Sequence, residues 1–358
     1  MNIYYICSCQ YDNLGDLVIN KMLVEELSRY GVVYVDFYSS PEEFKKYIIS
    51  NSNVVDIATA FNFSLQSIHI SSFIKLYSFI KRHKIMLLTH SPGPRINSSF
   101  KARVFNMVLN IILVLCGAKH VYIGNCFSAA LFKGIKLPRT VFPVYYLRSN
   151  ESVAYAKAFF PPQKVNYIPD MCFLLSEHNE RHNFEKTVAF DFRPESSNWA
   201  TTLNDCKTLA SYFIKSGYKV VLYYQVQSDK EFVERLYQEI ESSDVIYKRR
   251  IVWYDDLSFY KSVSAVVSNR LHSLLLAGAF GAYPIGVISE NEKTIKIKHV
   301  FESAFSGRDP LIFDVQQLVK TDIDDIIKNH RASIINEYDQ NTVLCRQTIH
   351  ELIRESFV

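Results

Sequence analysis

Short apolar runs alternate with amphipathic stretches along most of the chain. In the first half the strand-like runs are Ile3–Ser8, Val32–Tyr38, Val54–Thr59, Ile85–Thr89, Val121–Gly124 and Val165–Ile168. The helical stretches between them are residues 17–30, 41–51, 64–84, 98–117 and 126–134. Strands that are apolar throughout and separated by helices are typical of a parallel sheet covered on both faces. The pattern predicts an α/β fold.

The second half repeats this alternation after a polar break. Strands are predicted at 187–192, 219–225, 250–253 and Pro284–Ile288, and helices at 199–216, 229–241 and 257–263. Ser176–Glu185 is charged and loses its period, so we interpret it as a linker. The architecture predicted is two Rossmann-like domains facing a cleft. Their expected limits are residues 1–178 and 186–320, with a helical tail at 321–358 that packs back on the first domain.

Composition narrows the class of protein. With 358 residues and 48% hydrophobic residues, the chain can bury two cores. The net charge of +4 is small and no Lys/Arg block is present, so no nucleic-acid partner is expected. The seven cysteines lack the paired spacings of a disulfide framework, and Met1 leads directly into a strand. We therefore expect a cytoplasmic protein.

Val104–Ala118 is the most membrane-like run, but it is too short to span a bilayer and contains Asn106 and Asn110. A buried helix is the main interpretation. The alternative is a helix resting on a membrane surface, because Lys101, Arg103 and Lys119 flank the run. At most a peripheral contact with the inner face of a membrane is expected.

The stretch Val266–Ile288 contains the most informative chemistry. It predicts a buried strand, then a helix with an apolar stripe, then a second strand. Arg270 and His272 fall in the first turn of the helix, and Ser268 or Asn269 is placed to cap it. Because free N–H groups and the helix dipole attract anions there, the junction suits phosphate or carboxylate.

Other candidates follow strands in the same way. Arg193 ends the first strand of the second half, and two arginines converging on one crevice repel each other unless an anion lies between them. Asn13, Gly15 and Asp16 follow the first strand, where Gly15 allows close backbone approach and Asp16 can cap the helix. No dinucleotide or P-loop fingerprint is present. An anionic substrate is therefore expected.

Three further motifs have structural interpretations. His90-Ser91-Pro92-Gly93-Pro94 predicts a rigid turn. Asp255-Asp256 is interpreted as a cap before Leu257, and His178 with His182 as part of a solvated linker. No metal site is predicted.

Taken together and in order, these pieces resemble the polysaccharide pyruvyl transferase family. The resemblance rests on six segments, which are Asn13–Asp16, Ser91–Pro94, Arg148–Ser152, Pro169–Leu175, Arg193 and Ser268–Gly281. Two departures are Arg148-Ser149, where the family usually has Arg-Asp, and Ser289–Lys293, where it has a Tyr-Asp-Pro-Lys-like run.

The resemblance implies a GT-B-like fold and transfer of the pyruvyl group of phosphoenolpyruvate to a sugar, forming a ketal. Arg193, Arg270 and His272 would bind phosphoenolpyruvate, with His272 carrying the catalytic proton. Asn13, Gly15 and Asp16 would lie on the acceptor side. The acceptor in such enzymes is often carried on a lipid, and no cofactor or metal is implied.

Two other functions are compatible with the same residues. A GT-B glycosyltransferase could hold the diphosphate of a nucleotide-sugar at the same helix end. A non-catalytic anion-binding relative would keep the fold without turnover.

Overall fold

The computed structural model describes residues 1–37, 39–66, 70–95, 100–127, 142–177, 186–194, 198–288, 292–305 and 312–356. It divides the chain into two compact units. The first unit comprises Met1–Tyr11, Asp16–Leu174 and Val343–Val358, and the second comprises Asp12–Gly15 and Leu175–Thr342. The loop after the first strand and the last helix thus each contribute residues to both units.

The strands of the first unit form one parallel sheet. They are β1 (Asn2–Ile6), β2 (Val32–Asp36), β3 (Val54–Asp56), β4 (Ile85–His90), β5 (Gly93–Arg95), β6 (Lys119–Phe127), β7 (Val144–Leu147) and β8 (Val165–Tyr167). Their order in the sheet is β3-β2-β1-β4-β6-β7-β8, with β5 paired to β6. The central strand β1 is fully buried at Ile3, Tyr4 and Tyr5, as expected for a strand covered on both faces.

The second unit has a parallel sheet of its own. Its strands are β9 (Thr187–Asp191), β10 (Lys219–Leu222), β11 (Val245–Tyr247), β12 (Ala265–Ser268), β13 (Tyr283–Val287) and β14 (Ile312–Phe313), in the order β11-β10-β9-β12-β13-β14. Strands β9 and β12 are neighbours and are buried along their whole length. Residues that follow these two strands are therefore held at one edge of the sheet.

Helices connect the strands in both units. They are α1 (Leu14–Ser28), α2 (Glu42–Ile48), α3 (Ile57–Phe61), α4 (Ile70–His83), α5 (Phe100–Cys116), α6 (Asn150–Lys157), α7 (Trp199–Lys215), α8 (Lys230–Glu239), α9 (Leu271–Ala279), α10 (Glu292–Ala304), α11 (Val315–Leu318) and α12 (Ile323–Glu355). Short 3₁₀ segments cover Pro162–Lys164, Met171–Leu174, Gln227–Asp229 and Tyr254–Ser262. The last segment begins at Tyr254 and not after Asp256 as predicted, and Asp256 accepts the Trp253 N–H (3.3 Å) from inside its first turn.

The predicted fold class, α/β with two parallel sheets, is confirmed, but one strand was misplaced. Residues 250–253 are not a strand, and the edge strand is instead β11. Ile246 in β11 is 49% exposed, whereas Val252 in the following loop is fully buried. The buried apolar side chains of this loop resemble a strand in the sequence. The apolar run that begins at Ile251 therefore predicted a strand there and not at β11.

The rigid turn predicted at residues 90–94 is not the whole structure of this segment, because a short strand begins at Gly93. Gly93–Arg95 forms β5, which pairs in parallel with the end of β6, so that Pro94 lies beside Cys126. A proline is tolerated there because β5 pairs with no other strand among the described residues and so lies at an edge. The predicted helix at 126–134 is wrong at Cys126 and Phe127, which end β6, and its other residues lie outside the described ranges.

All seven cysteines are free thiols. Within the described ranges, no helix is long and apolar enough to cross a bilayer.

Candidate active site

The loops after β9 and β12 are tied together by one side chain. The Asn269 amide accepts a hydrogen bond from the Arg193 N–H (2.7 Å) and donates one to the Arg193 carbonyl (3.0 Å). A side chain that satisfies both backbone groups of one residue fixes the position of that residue. The structure thus holds Arg193 next to the helix that begins after Arg270, 77 positions later in the sequence.

Arg270 is the N-cap residue of α9 and is mostly buried. Its guanidinium forms an ion pair with Asp229, whose side chain is 2% exposed, while its Nε–H has no hydrogen-bond partner in the described part of the chain. The predicted cap by Ser268 or Asn269 is wrong. Ser268 accepts the Arg270 N–H (2.9 Å), just before the helix, and the Asn269 side chain is hydrogen-bonded to the backbone of Arg193. Neither of them caps α9, and the side chain of the N-cap residue Arg270 makes no capping hydrogen bond.

Two buried carboxylates complete this cluster and were not predicted from the sequence. Asp191, the last residue of β9, is fully buried and accepts a hydrogen bond from the Ser273 hydroxyl in the first turn of α9. Asp229 lies in the segment after β10. The available signal was the charged Asp191 inside the otherwise apolar strand Thr187–Asp191, because buried charges are rare unless they have a role.

The surroundings of these carboxylates shift both pKa values upward. Burial raises the pKa of Asp191 to about 7, and Asp229 adds to the rise, while Arg270 and the Ser273 hydroxyl oppose it. Burial also raises the pKa of Asp229, against the opposing effects of Arg270 and Arg193. Both arginines therefore act on one carboxylate, and Asp191 is poised to change its protonation near neutral pH.

Asp191→Asn is expected to reduce the pH dependence of the stability of the second unit. Because the pKa of Asp191 is higher in the folded state than its ordinary value of 3.8, the folded protein binds this proton more tightly. The stabilisation is complete below that ordinary value and is lost as the pH rises through about 7, at up to about 1.4 kcal/mol per pH unit. Above pH 7, the variant should be more stable than the wild type.

Trp199 and Trp253, the two tryptophans of the chain, belong to the second unit, so urea unfolding followed by tryptophan fluorescence measures its stability. Replacing the exposed Asp244 by asparagine is the control and should leave the pH profile unchanged. Parallel profiles for wild type and Asp191→Asn would contradict the assignment.

Gly15 contacts the third predicted residue, His272. The segment Asp12–Gly15 clusters with the second unit, where the Leu14 N–H donates to the Gln225 carbonyl (3.1 Å). A Cβ atom added to Gly15 would lie 2.2 Å from His272 Nδ1 and 2.5 Å from His272 Cβ. Only glycine fits this position, since non-bonded heavy atoms do not approach that closely. The backbone at Gly15 thus forms one wall of the His272 environment.

The other two residues expected on the acceptor side lie close by in sequence. Asn13 accepts the Gly15 N–H (3.0 Å) through its side chain and forms an isolated bridge to Val226. Asp16 belongs to the first unit, lies in the first turn of α1 and accepts the Gln10 N–H (3.0 Å). It does not occupy the N-cap position, because α1 already begins at Leu14.

A cavity of about 680 Å³ lies at the ends of β10 and β11. The cavity is lined by the carboxylate of Asp256 and by four basic residues, which are Lys230, Lys248, Arg249 and Arg250. Lys230 directly follows Asp229, the partner of Arg270. Within the described residues, no group of three His, Cys, Asp or Glu side chains could hold a metal ion, and His178 and His182 lie outside those residues.

The segments Arg148–Ser152 and Pro169–Leu174 form a structural site in the first unit. Arg148 and Asp170 make an ion pair in which each side chain is 1% exposed. Asp170 also accepts the Cys172 N–H (2.9 Å). Ser149, where the family usually has Asp, accepts the Ser152 N–H (3.2 Å) and caps α6. Either residue can make this cap, so the departure from the family pattern retains its structural role.

Comparison with solved structures identifies the fold. The chain is similar to the UDP-GlcNAc 2-epimerase from Neisseria meningitidis bound to UDP-GlcNAc, with 9% identity, a TM-score of 0.56, and coverage of 100% of this chain and 99% of that one. It is also similar to a glycosyltransferase from Rickettsia africae, with 11% identity, a TM-score of 0.57, and coverage of 99% and 98%. The UDP-GlcNAc 2-epimerase from Methanocaldococcus jannaschii has 8% identity, a TM-score of 0.57, and coverage of 92% and 94%. These likenesses establish a GT-B-like fold.

The family is established by sequence. No curated protein matches the chain. The family model for polysaccharide pyruvyl transferase, however, matches residues 13–291, which include Asn13, Arg193, Arg270 and His272. The chain is therefore a transferase and belongs to the polysaccharide pyruvyl transferase family.

Proposed function

We propose that the protein transfers the pyruvyl group of phosphoenolpyruvate to two hydroxyls of a sugar acceptor, releasing phosphate and forming a ketal. The observation that carries the proposal is the clamp by Asn269, which joins Arg193 to the end of α9 that bears Arg270 and His272. Phosphoenolpyruvate has a carboxylate and a phosphate, and two arginines beside a helix N-terminus suit both groups.

The charge of the cluster supports this choice of substrate. With Asp191 protonated, Arg193 and Arg270 face one carboxylate, Asp229, and the cluster is positive. With Asp191 ionised, the two arginines face two carboxylates, and the cluster has no net charge. Since burial keeps the pKa of Asp191 near 7, the positive form is well populated at neutral pH. A bound anion would favour it further.

The proposed reaction uses these residues in the following order. His272 donates a proton to the methylene carbon of phosphoenolpyruvate, and C2 gains the positive character that a sugar hydroxyl attacks. Loss of the hydroxyl proton completes the first C–O bond. A second hydroxyl then attacks the same carbon, its proton is lost, and the C–O bond to phosphate breaks. The arginines stabilise the negative charge that remains on the phosphate and carboxylate.

Arg270→Ala and Arg193→Ala are each expected to weaken phosphoenolpyruvate binding about 10- to 100-fold, because a charge-assisted contact contributes about 1.5–3 kcal/mol. Calorimetric titration measures the affinity. Arg235→Ala is the matched control, since Arg235 is 58% exposed on α8 and pairs with Glu239.

Arg270→Lys separates binding from folding. It retains the positive charge that faces the buried Asp229 but loses the planar fork, so it should fold normally and still bind more weakly. Unchanged affinity in Arg193→Ala and Arg270→Lys would show that the two arginines are structural.

A nucleotide-sugar donor is the second candidate, favoured by the basic cavity lined by Lys248, Arg249 and Arg250. A panel of phosphoenolpyruvate, UDP-GlcNAc and UDP, each titrated against the melting temperature, discriminates the two. Only a ligand that binds the folded protein raises the melting temperature with concentration. Stabilisation by UDP-GlcNAc and not by phosphoenolpyruvate would favour the glycosyltransferase. Binding of phosphoenolpyruvate without turnover on any sugar acceptor would favour the non-catalytic relative.

A further inference from the structure

Helix α5 is apolar on two opposite sides, but only one of them is buried. Leu109 and Leu113 are fully buried in the core of the first unit, and Phe105, Ile112 and Cys116 pack against the same cluster. On the other side, Val104, Ile111, Val114 and Leu115 are 38%, 43%, 52% and 69% exposed. These four positions follow the helical repeat and form one stripe. The interpretation of residues 104–118 as an interior helix is therefore wrong for this side.

The neighbouring helix α4 also has exposed apolar side chains. The two helices pack together, and the ring of Phe73 in α4 contacts the ring of Phe105 in α5, with centroids 5.0 Å apart. On α4, Ile74 is 68% exposed and Tyr77 is 45% exposed. We call Ile74, Tyr77, Val104, Ile111, Val114 and Leu115 the α4/α5 patch. Exposed apolar side chains gathered on two neighbouring helices mark surfaces that contact something other than water.

The charge around the patch indicates what it contacts. Between Asp56 and Glu151, 94 consecutive residues contain 12 Lys/Arg and no Asp or Glu. The rest of the chain has the other 28 basic residues and all 36 acidic ones. Among the side chains that the structure describes, the exposed cations on and beside the two helices are Lys75, Lys81, Arg82, Lys84 and Lys119. An apolar stripe on two helices that contain Lys and Arg but no Asp or Glu is complementary to an anionic surface that also has an apolar layer beneath it.

We propose that the α4/α5 patch docks on an anionic lipid bilayer, with α5 lying in the plane of the interface. The apolar side chains enter the boundary between headgroups and acyl chains, and the lysines and Arg82 contact anionic headgroups. A second copy of this chain fits less well, since pairing two such patches would bring their basic flanks together. The proposal does not depend on the proposed function, because no patch residue belongs to the candidate active site.

Co-sedimentation of the whole protein with vesicles tests the proposal. Wild type should bind vesicles of mixed phosphatidylcholine and phosphatidylglycerol at low salt, and bind at least about tenfold less to phosphatidylcholine alone. Ile111→Gln/Leu115→Gln should reduce binding about tenfold or more. The matched control is Ile246→Gln, the same change at a side chain that is 49% exposed on β11, and it should bind like wild type.

Charge is tested separately. Lys81→Gln/Arg82→Gln should weaken binding at low salt, whereas Lys215→Gln/Lys219→Gln, which removes two exposed cations of the second unit, should not. Circular dichroism confirms that each variant is folded, and light scattering gives its oligomeric state. The proposal is overturned by absence of wild-type binding to anionic vesicles at low salt or by equal binding of the patch variant and wild type. It is also overturned by a wild-type dimer that the patch variant converts to monomers.

Discussion

Gly15→Ala is expected to lower turnover about a hundredfold, close to the loss expected for His272→Gln. The new Cβ would overlap both Nδ1 and Cβ of His272, at 2.2 Å and 2.5 Å, so the imidazole and its backbone must move. Displacing a catalytic group by about 1 Å can cost about 100-fold in rate. Loss of a general acid costs about 10²- to 10⁴-fold. Steady-state assays of phosphate release from phosphoenolpyruvate and acceptor measure both effects.

The comparison needs a control for backbone strain. Gly217 has a φ of +81° and no heavy atom within 4 Å of an added Cβ, so Gly217→Ala strains the chain without touching a neighbour. Its turnover per folded molecule should equal that of wild type. Because Gly15→Ala acts through His272, the double variant Gly15→Ala/His272→Gln should be no slower than His272→Gln alone. Multiplied losses in the double variant would show that Gly15 has a separate role.

Asp170→Ala is expected to destabilise the first unit by about 3–5 kcal/mol, because it leaves the buried charge of Arg148 without its partner. Burial alone would lower the pKa of Arg148, but Cys126 and Asp170 together hold it above its ordinary range. The guanidinium therefore remains charged, and its desolvation is uncompensated once the carboxylate is removed. Few single substitutions reach this magnitude.

Tryptophan fluorescence does not report this loss, since both tryptophans belong to the second unit. Hydrogen exchange read by mass spectrometry on peptides of β7 and β8 measures it directly. Glu42→Ala removes an ion pair of the same unit whose carboxylate is 87% exposed, and should change stability by less than about 1 kcal/mol. Arg148→Met/Asp170→Leu removes both charges and should recover much of the stability. Equal protection in Asp170→Ala and wild type would mean that the pair contributes little.

The predicted strands differ in how well the sequence located them. Strands β1, β9 and β12 are buried on both faces, so the residues between their ends are all apolar and the run is recognisable without any partner. The three-residue edge strand β11 is partly exposed and has no such signature. Strand β7 was missed because its sequence, Val144–Leu147, directly precedes a polar helix start and is short. Local periodicity thus identifies a strand by its apolar run and not by its place in the sheet, since the edge strands β3 and β8 were predicted and the interior strand β7 was missed.

The candidate site shows the same division. Arg193, Arg270 and His272 were found from the sequence because each follows a recognisable strand. Asp229 was missed and Asn269 was assigned the wrong role, since what defines them is a contact between distant segments. The hydrogen bonds between Asn269 and Arg193 join residues 76 positions apart. The bond between Ser273 and Asp191 joins residues 82 apart. A sequence pattern shows which residues share a face of one helix or strand. It does not show which residues from two distant loops are in contact.

By itself, the sequence determined the α/β class, two parallel sheets and the strand ends that bear the arginines, because each of these depends on burial that repeats along a single element. Only the tertiary structure decided that Gly15 lies against His272, that Asp191 is buried beside a second carboxylate, and that one side of α5 is exposed. Each of these depends on which segments pack together. The free energy of such packing is set by contacts between residues far apart in the chain, and no local pattern contains it.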